Sequence, residues 1–461
     1  MEVSPLTLLR ALRLNERQIP GLPGVALVGG GGKSTALFQL ARELVEETGS
    51  ALVTATTHLA PEQAQGADRH IILDTPEAAL TCLEGDLPGG ITLFTGPPER
   101  DAVSGLERLS GLKPALIQRM AVCAQGRGLR LLVEADGSRR LPLKAPAEHE
   151  PAIPTCAGVV VVCAGLLGIG RRLEASAVHR PERFAALSGL HLGAPVTADA
   201  LRKVLVHPQG GLKGILHGRQ ALLLLNQADT PGLEAAADAI AREALGPYQA
   251  VVTAALERGG VRQVNEAAAG IVLAAGAAQR FGRPKQLLEV GGKPLVRTAA
   301  ETALAAGLNP VVVVSGAYAG AVAEVVQGLP VRLVHNPAWE EGQGSSVRVG
   351  VESLPDQAGS AAFLLADQPF VTAELLRALV QRHARTLSGI VAPRVVGQRT
   401  NPVLFDRDTF ADLRALHGDT GGRAVLNTGR YAIEWLEWED ERLLEDIDTE
   451  EDYRRLVGGA E

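Results

Sequence analysis

At 461 residues the chain is too long for one hydrophobic core, so two or three domains are expected. A composition of 46% hydrophobic and 21% charged residues excludes a disordered chain. The net charge of −7 and the scarcity of aromatics, with Phe 8, Tyr 4 and Trp 3, exclude a general nucleic-acid surface, so any nucleotide bound is a small molecule.

The opening residues, MEVSPLTLLRALRLNERQIPG, lack the basic start, apolar core and cleavage site of a signal peptide. The longest apolar run, Ala157 to Ile169, is too short and glycine-rich to span a bilayer. Cys82, Cys123, Cys156 and Cys163 show no CxxC spacing and read as reduced thiols, so a cytoplasmic location without membrane association is expected.

A strand-like run, GVALVGGGGKST at 24–35, opens a first α/β domain. A full GxxxxGK[ST] loop needs glycine at 27, where Leu27 stands, so the match is to the shortened GGxGK[ST] form. In that form the backbone donors of Gly29, Gly30 and Gly32 wrap a phosphate, Lys33 reaches the terminal phosphates and the Ser34 hydroxyl binds Mg²⁺. The competing reading is a tight glycine turn before a helix. TATTHL at 54–59 puts Thr56, Thr57 and His58 near the phosphate site, although a Thr-rich run also suits a plain strand. LRLLVEADGS at 129–138 ends an apolar strand with Glu134 and Asp136, either Walker B carboxylates for the metal or an acidic strand end facing water. ALLLLNQAD at 221–229 places Asn226 and Asp229 as in the base-reading NKxD motif, with Gln227 in the Lys position; a strand-end turn explains it equally well.

The polar, glycine-containing ERGGVRQVNEAAAG at 257–270 precedes a fresh strand, which puts a boundary near Asn265 and domains at 1–265 and 266–461. Both halves alternate apolar strands with amphipathic helices. The expected fold class is α/β: an N-terminal P-loop-like domain and a C-terminal Rossmann-like domain, with mainly parallel sheets covered on both faces.

The second half opens on IVLAAGAAQRFGRPKQLL at 271–288. The strand end at Leu273 and the small Ala274, Ala275 and Gly276 let backbone N–H groups approach an anion, while Arg280 offers a planar donor fork and Lys285 a mobile point charge. HNPAWEEGQGSSVRVG at 335–350 runs from a strand through a loop into a helix, with Gly344, Ser345 and Ser346 as donors to an anionic second substrate. FLLADQP at 363–369 ends a strand in Asp367, a carboxylate for Mg²⁺. RTNPVLF at 399–405 and HGDTGGRAVL at 417–426 add Asn401, Asp419 and Arg423 on turns. LLEDIDTEEDY at 443–453 brings Asp448 just before a helix whose Thr449 and Asp452 fit a capping box.

The first half, with its glycine loop, TATTHL, EADGSRRLPLKAPAEHEPAIP and NQAD, resembles the accessory proteins of selenium-dependent molybdenum hydroxylases. Glu134, Asp136, Gly137, Lys144, Pro146, His149 and Glu150 stand as in that family's motif. The resemblance implies molybdenum hydroxylase maturation, sulfur or selenium delivery, and ATP or GTP as the nucleotide. Lys144, His149 and Glu150 are either functional or local caps and pairs.

The second half resembles the molybdenum cofactor cytidylyltransferases through LAAGxxxRFGxxK, LADQP, GQGSS, NPVLF and DIDT, in that order. The resemblance implies CTP as donor, with Ala275 where guanylyl-transferring relatives tend to have glycine. It further implies Arg280 and Lys285 on the triphosphate, Mg²⁺ on Asp367 and Asp448, and Asn401 at the pterin. The implied reaction is attack of the terminal phosphate of Mo-molybdopterin on the α-phosphorus of CTP, giving molybdopterin cytosine dinucleotide and pyrophosphate, with a molybdenum hydroxylase apoenzyme as partner. Two alternatives stand beside it: the same fold acting on GTP or a sugar phosphate, and a cofactor carrier or chaperone docking on the target hydroxylase.

Overall fold

The apolar runs form strands flanked by apolar cover, as parallel sheets require. The computed structural model describes residues 6–17, 21–73, 75, 85, 89–100, 105–277, 281, 283–447 and 449–458, and the chain divides into two compact units, Met1–Asn265 and Glu266–Glu461.

In the first unit the strands of the main sheet are β1 (Gly24–Gly29), β2 (Ser50–Ala55), β3 (Arg69–Ile72), β4 (Gly90–Thr95), β5 (Leu131–Glu134), β6 (Ala157–Gly165), β7 (Gln220–Asn226) and β8 (Ala250–Ala255). They pair in parallel in the order β8-β7-β6-β1-β5-β2-β4-β3. The chain winds to one side of β1 through β2–β5 and to the other through β6–β8. The C-terminal end of β1 is thus where the winding reverses, the position at which open α/β sheets bind ligands. The helix Lys33–Thr48 follows at once, buries Ala36, Leu37, Leu40, Ala41 and Leu44 at helical spacing, and stops at Gly49, whose φ of 81° only glycine adopts freely.

In the second unit β9 (Gly260–Ala274) is central from residue 266 onward. The longer strands beside it are β10 (Val311–Ser315), β11 (Arg332–His335), β12 (Ala358–Leu365), β13 (Ile390–Val395), β14 (Val403–Asp406) and β15 (Ile433–Glu437). β10 and then β11 extend the sheet in parallel on one side of β9, and β12 pairs in parallel on the other. β14 runs antiparallel between β12 and β13, the short strand Gln398–Arg399 also pairs antiparallel with β13, and β15 returns parallel to β13. Alternate residues of β9 divide between two cores: Val272 and Ala274 pack with Val313, Leu364 and Leu404, while Ala269 and Ile271 pack with Val314, Phe363 and Phe405. Among the described residues no helix is long and apolar enough to cross a membrane. Cys123, Cys156 and Cys163 are free thiols, and Cys82 lies outside the described residues.

Candidate functional site

β9 and β12 are parallel neighbours, so their C-terminal ends meet: Ala274 to Ala277 leave one and Ala366 and Asp367 leave the other. These residues floor an open cleft of about 680 Å³. Lys285 Nζ lies 3.9 Å from Asp367 Oδ2 inside it, which sets a cation and a carboxylate side by side. The glycine loop is held in shape from beneath. The buried Gln286 donates through Nε2 to the carbonyls of Ala274 (3.4 Å) and Gly276 (3.0 Å), and Tyr318 donates through its hydroxyl to Ala277 O (3.3 Å). Gly316 has no room for a side chain, because a Cβ would lie 2.5 Å from Ala275 O and 2.8 Å from Trp339 Cβ.

Trp339, Gly342, Gln343, Ser346 and Asp419 form another part of the lining. Gly342, at φ 105°, touches the backbone of Gly418, and Gly344 N donates to Gly418 O (3.0 Å), so the HGD turn seats on the GQGSS loop. Asn336 Nδ2 donates to the hydroxyls of Ser345 (2.8 Å) and Ser346 (3.0 Å), and Ser345 Oγ donates to Gly342 O. The segment before the last helix is fastened to the cleft as well: Ile447 N donates to Asp367 O (3.3 Å) and Gln368 Nε2 to Asp446 Oδ1 (2.6 Å).

The first unit builds a different cradle at the end of β1. Both oxygens of Asp136 accept from Gly29 N at 3.0 Å, while Gly30 N donates to Cys163 O (2.9 Å) and Gly31 N to Leu141 O (3.1 Å). Lys33 is buried, with Nζ donating to Gly29 O (2.7 Å) and 3.4 Å from Asp136. Burial opposes its charge, but Asp136 and Glu134 outweigh burial and raise its pKa. Ser34 Oγ donates to Glu134 Oε2 (2.8 Å) and accepts from Gln63 Nε2. Burial raises the pKa of Glu134, against the pull of Lys33 and Ser34. Asp136 also pairs with Lys144 (2.7 Å), Lys144 with Glu150 (2.9 Å), and Glu150 with Arg180 (2.7 Å), a continuous line of alternating charge.

Residues 270–434 match the MobA-like NTP transferase domain, and residues 25–182 match the YqeC protein family. The chain joins a YqeC domain to a MobA-like NTP transferase domain. It is 35% identical over 196 residues to nicotine blue oxidoreductase of Paenarthrobacter nicotinovorans, covering 41% of this chain and 95% of that protein. It is 32% identical to purine catabolism protein PucB of Bacillus subtilis, covering 40% and 93%. It is also 31% identical to the uncharacterized protein YqeC of Escherichia coli, covering 44% and 75%.

In the MobA-like domain the structure brings Leu273, Ala274, Ala275, Gly276, Lys285, Ser346 and Asp367 to one cleft. Arg280 and Asp448 lie outside the described residues. Asn401 lies two positions before β14, whose first pair is Val403 with Phe363, and it is not among the residues that line the cleft. Ser345 departs from expectation, since its hydroxyl is bound into the wall. The capping box forms as read, with Thr449 N donating to Asp452 Oδ2 and Asp452 N to Thr449 Oγ1.

The YqeC domain requires more correction. Gly29 and Gly30 spend on protein acceptors the N–H groups expected to wrap a phosphate. The donors left at that end belong to Gly32, Lys33, Ser34 and Thr35, where no hydrogen bond forms among the described residues. Asp136 anchors the loop and two lysines instead of facing a metal position, which leaves Ser34 with Glu134. Asn226 ties the glycine loop to the end of β8: its Nδ2 donates to Gly31 O (3.1 Å) and its Oδ1 accepts from Leu256 N (3.2 Å). His58 pairs with exposed Glu99, and His149 is exposed. Gln63, Gln286 and Trp339 were not singled out in the sequence, because an isolated Gln or Trp carries no motif.

Proposed function

We propose that the MobA-like unit transfers CMP from CTP to Mo-molybdopterin, giving molybdopterin cytosine dinucleotide and pyrophosphate for hydroxylases of the xanthine dehydrogenase type. The observation that carries this reading is the Lys285–Asp367 pair at 3.9 Å on the floor of the cleft beside the Ala274–Gly276 loop. An ammonium and a carboxylate at one point suit a polyphosphate and its metal. Lys285 takes charge building on the departing pyrophosphate, the small loop lets backbone donors approach the chain of phosphates, and the packed Gln286 keeps that loop preformed. Ala275 admits the smaller pyrimidine. Ser346, Gly344 and Asn401 are assigned to the second substrate, and Arg280 and Asp448 keep the roles that the family resemblance implies.

Mg²⁺ fits here: Asp367 offers a hard oxygen in the open cleft, and no group of three His, Cys, Asp or Glu forms a full protein cage among the described residues. That donor set matches an ion held by one or two carboxylates plus substrate phosphates, and when bound it supplies Lewis acidity at the phosphoryl oxygens. In the YqeC unit, the backbone N–H groups of Gly32, Lys33 and Ser34 are assigned to a nucleoside triphosphate, ATP or GTP, with Mg²⁺ on Ser34 and Glu134. Its role is an accessory step in hydroxylase maturation, sulfur or selenium insertion.

Support for the pathway comes from the relative named for purine catabolism. The name of the Paenarthrobacter relative favours a second reading, an oxidoreductase on the same fold. Pyrophosphate release with Mo-molybdopterin and each nucleotide separates the two. Release with CTP that is lost in Asp367→Ala supports transfer; turnover of a redox substrate without pyrophosphate supports the other. Hydroxylase maturation that survives Asp367→Ala identifies a carrier.

A further inference from the structure

We infer that Arg139 and Arg140 are the phosphate-binding rim of the glycine loop in Met1–Asn265, supplying the cations that the buried Lys33 does not; this rests on reading that unit as a nucleotide site. Lys33 is held by Gly29 O at 2.7 Å and Asp136 at 3.4 Å, and the N–H groups of Gly29, Gly30 and Gly31 are spent on protein acceptors. A triphosphate arriving at the N-terminus of Lys33–Thr48 therefore meets the carboxylates of Glu134 and Asp136 with little compensating charge from the loop itself.

The segment after Asp136 lies against that loop. Leu141 O accepts from Gly31 N (3.1 Å), Pro142 O from Gly165 N (2.9 Å), and Gly137 O from Lys144 Nζ (2.6 Å). Between these anchors Arg139 and Arg140 both adopt left-handed backbone, at φ 52° and 61°, a conformation that side-chain-bearing residues rarely accept and that concentrates at functional sites. Both side chains are exposed. Arg140 rests on Glu62 at 3.0 Å, and the next residue, Gln63, donates to Ser34 Oγ, so the guanidinium waits one residue from the phosphate loop's hydroxyl. A pair this exposed is weak and yields readily to a phosphate.

An independent sign of a ligand lies on the same sheet edge. The buried oxygens Thr56 Oγ1 and Thr57 Oγ1, just past β2, and Gln227 Oε1, just past β7, have no hydrogen-bond partner among the described residues. A Cβ on Gly165 would fall 2.2 Å from that Gln227 oxygen and 2.8 Å from Gly31 Cα, which places it against the loop. Unmet buried acceptors are rare without a reason, and a bound nucleotide is one.

The test is titration of full-length protein carrying Lys285→Ala, which disables the other cleft, with fluorescent mant-ATP and mant-GTP and their diphosphates. The variant Arg139→Gly/Arg140→Gly removes the charge and relieves the backbone, so it is expected to raise Tm by roughly a few degrees. It is also expected to weaken triphosphate binding at least about tenfold, to erase the preference over diphosphate and to flatten the salt dependence. Arg140→Lys is expected to restore part of the affinity. A raised Tm with affinity and salt dependence unchanged overturns the proposal and leaves the arginines as strained surface residues. Absence of nucleotide binding in the Lys285→Ala parent overturns the reading beneath it.

Discussion

Lys285 and Asp367 are proposed to matter to turnover and little to stability. Their 3.9 Å pair is partly exposed, so removing one partner costs the fold on the order of 0–1 kcal/mol. The same ammonium facing a leaving pyrophosphate is worth about 3–4 kcal/mol, so Lys285→Ala is expected to lower kcat/KM for pyrophosphate release about 10²–10³-fold with Tm nearly unchanged. Equal turnover by the variant, measured with saturating second substrate, removes Lys285 from the reaction.

Two other residues make acid the vulnerable direction for the YqeC unit. Burial, aided by Arg180 and Lys144, pushes His179 down to about 4. An unfolded histidine takes its proton near pH 6.5, so stability associated with neutral His179 is complete above that pH and is lost as pH falls toward 4. Burial works against the charge of Glu150, yet Arg180 and Lys144 hold it down at about 2. Its contribution is present above about pH 4.5 and is lost as pH falls from there to 2. After solvent screening each is worth roughly 1–2 kcal/mol. Urea midpoints at pH 7, 5 and 3.5 are expected to fall steadily; His179→Gln flattens the upper part of the decline and Glu150→Gln the lower. A flat profile in the parent contradicts both assignments.

At the scale of elements, the two glycine loops are built differently although both follow a central parallel strand. The loop after β9 keeps its small residues toward an open cleft and is braced by Gln286, whereas the loop after β1 is pressed into its neighbours. A Cβ on Gly31 would lie 2.0 Å from Gly165 N at φ 69°, while Gly307, at φ 85°, has nothing within 4 Å. Gly307→Ala is therefore expected to cost only the left-handed penalty, about 1 kcal/mol, and Gly31→Ala well over 2 kcal/mol, checked by thermal unfolding. Similar losses at both positions contradict the packing described.

These differences mark what a sequence makes legible. The apolar runs and their glycine stops locate β1, β9 and β12, because strand burial is a local pattern. LAAG, Lys285 and Asp367 could be read as one site because parallel strands put their C-terminal ends at one edge. The use of Gly29 and Gly30 could not be read, since their acceptors are Asp136 and Cys163, more than a hundred residues away. The partners of Ser345 and Asn226 were hidden for a related reason: a polar side chain beside a glycine loop or at a strand end looks the same in sequence whether it serves a ligand or ties down a loop.

At the scale of the whole chain, each unit carries its own phosphate-type cradle, one open with its lysine beside a carboxylate in a cleft, the other with its lysine buried. In the proposed function the open cradle carries the transfer, and the closed one serves an accessory role in which binding must first free or bypass Lys33. The most direct measurement is mass-spectrometric identification of the product after incubating the full chain with Mg²⁺, Mo-molybdopterin and an equimolar mixture of CTP and GTP. The expected product is molybdopterin cytosine dinucleotide with stoichiometric pyrophosphate; a guanine dinucleotide, or unchanged nucleotides, contradicts CMP transfer.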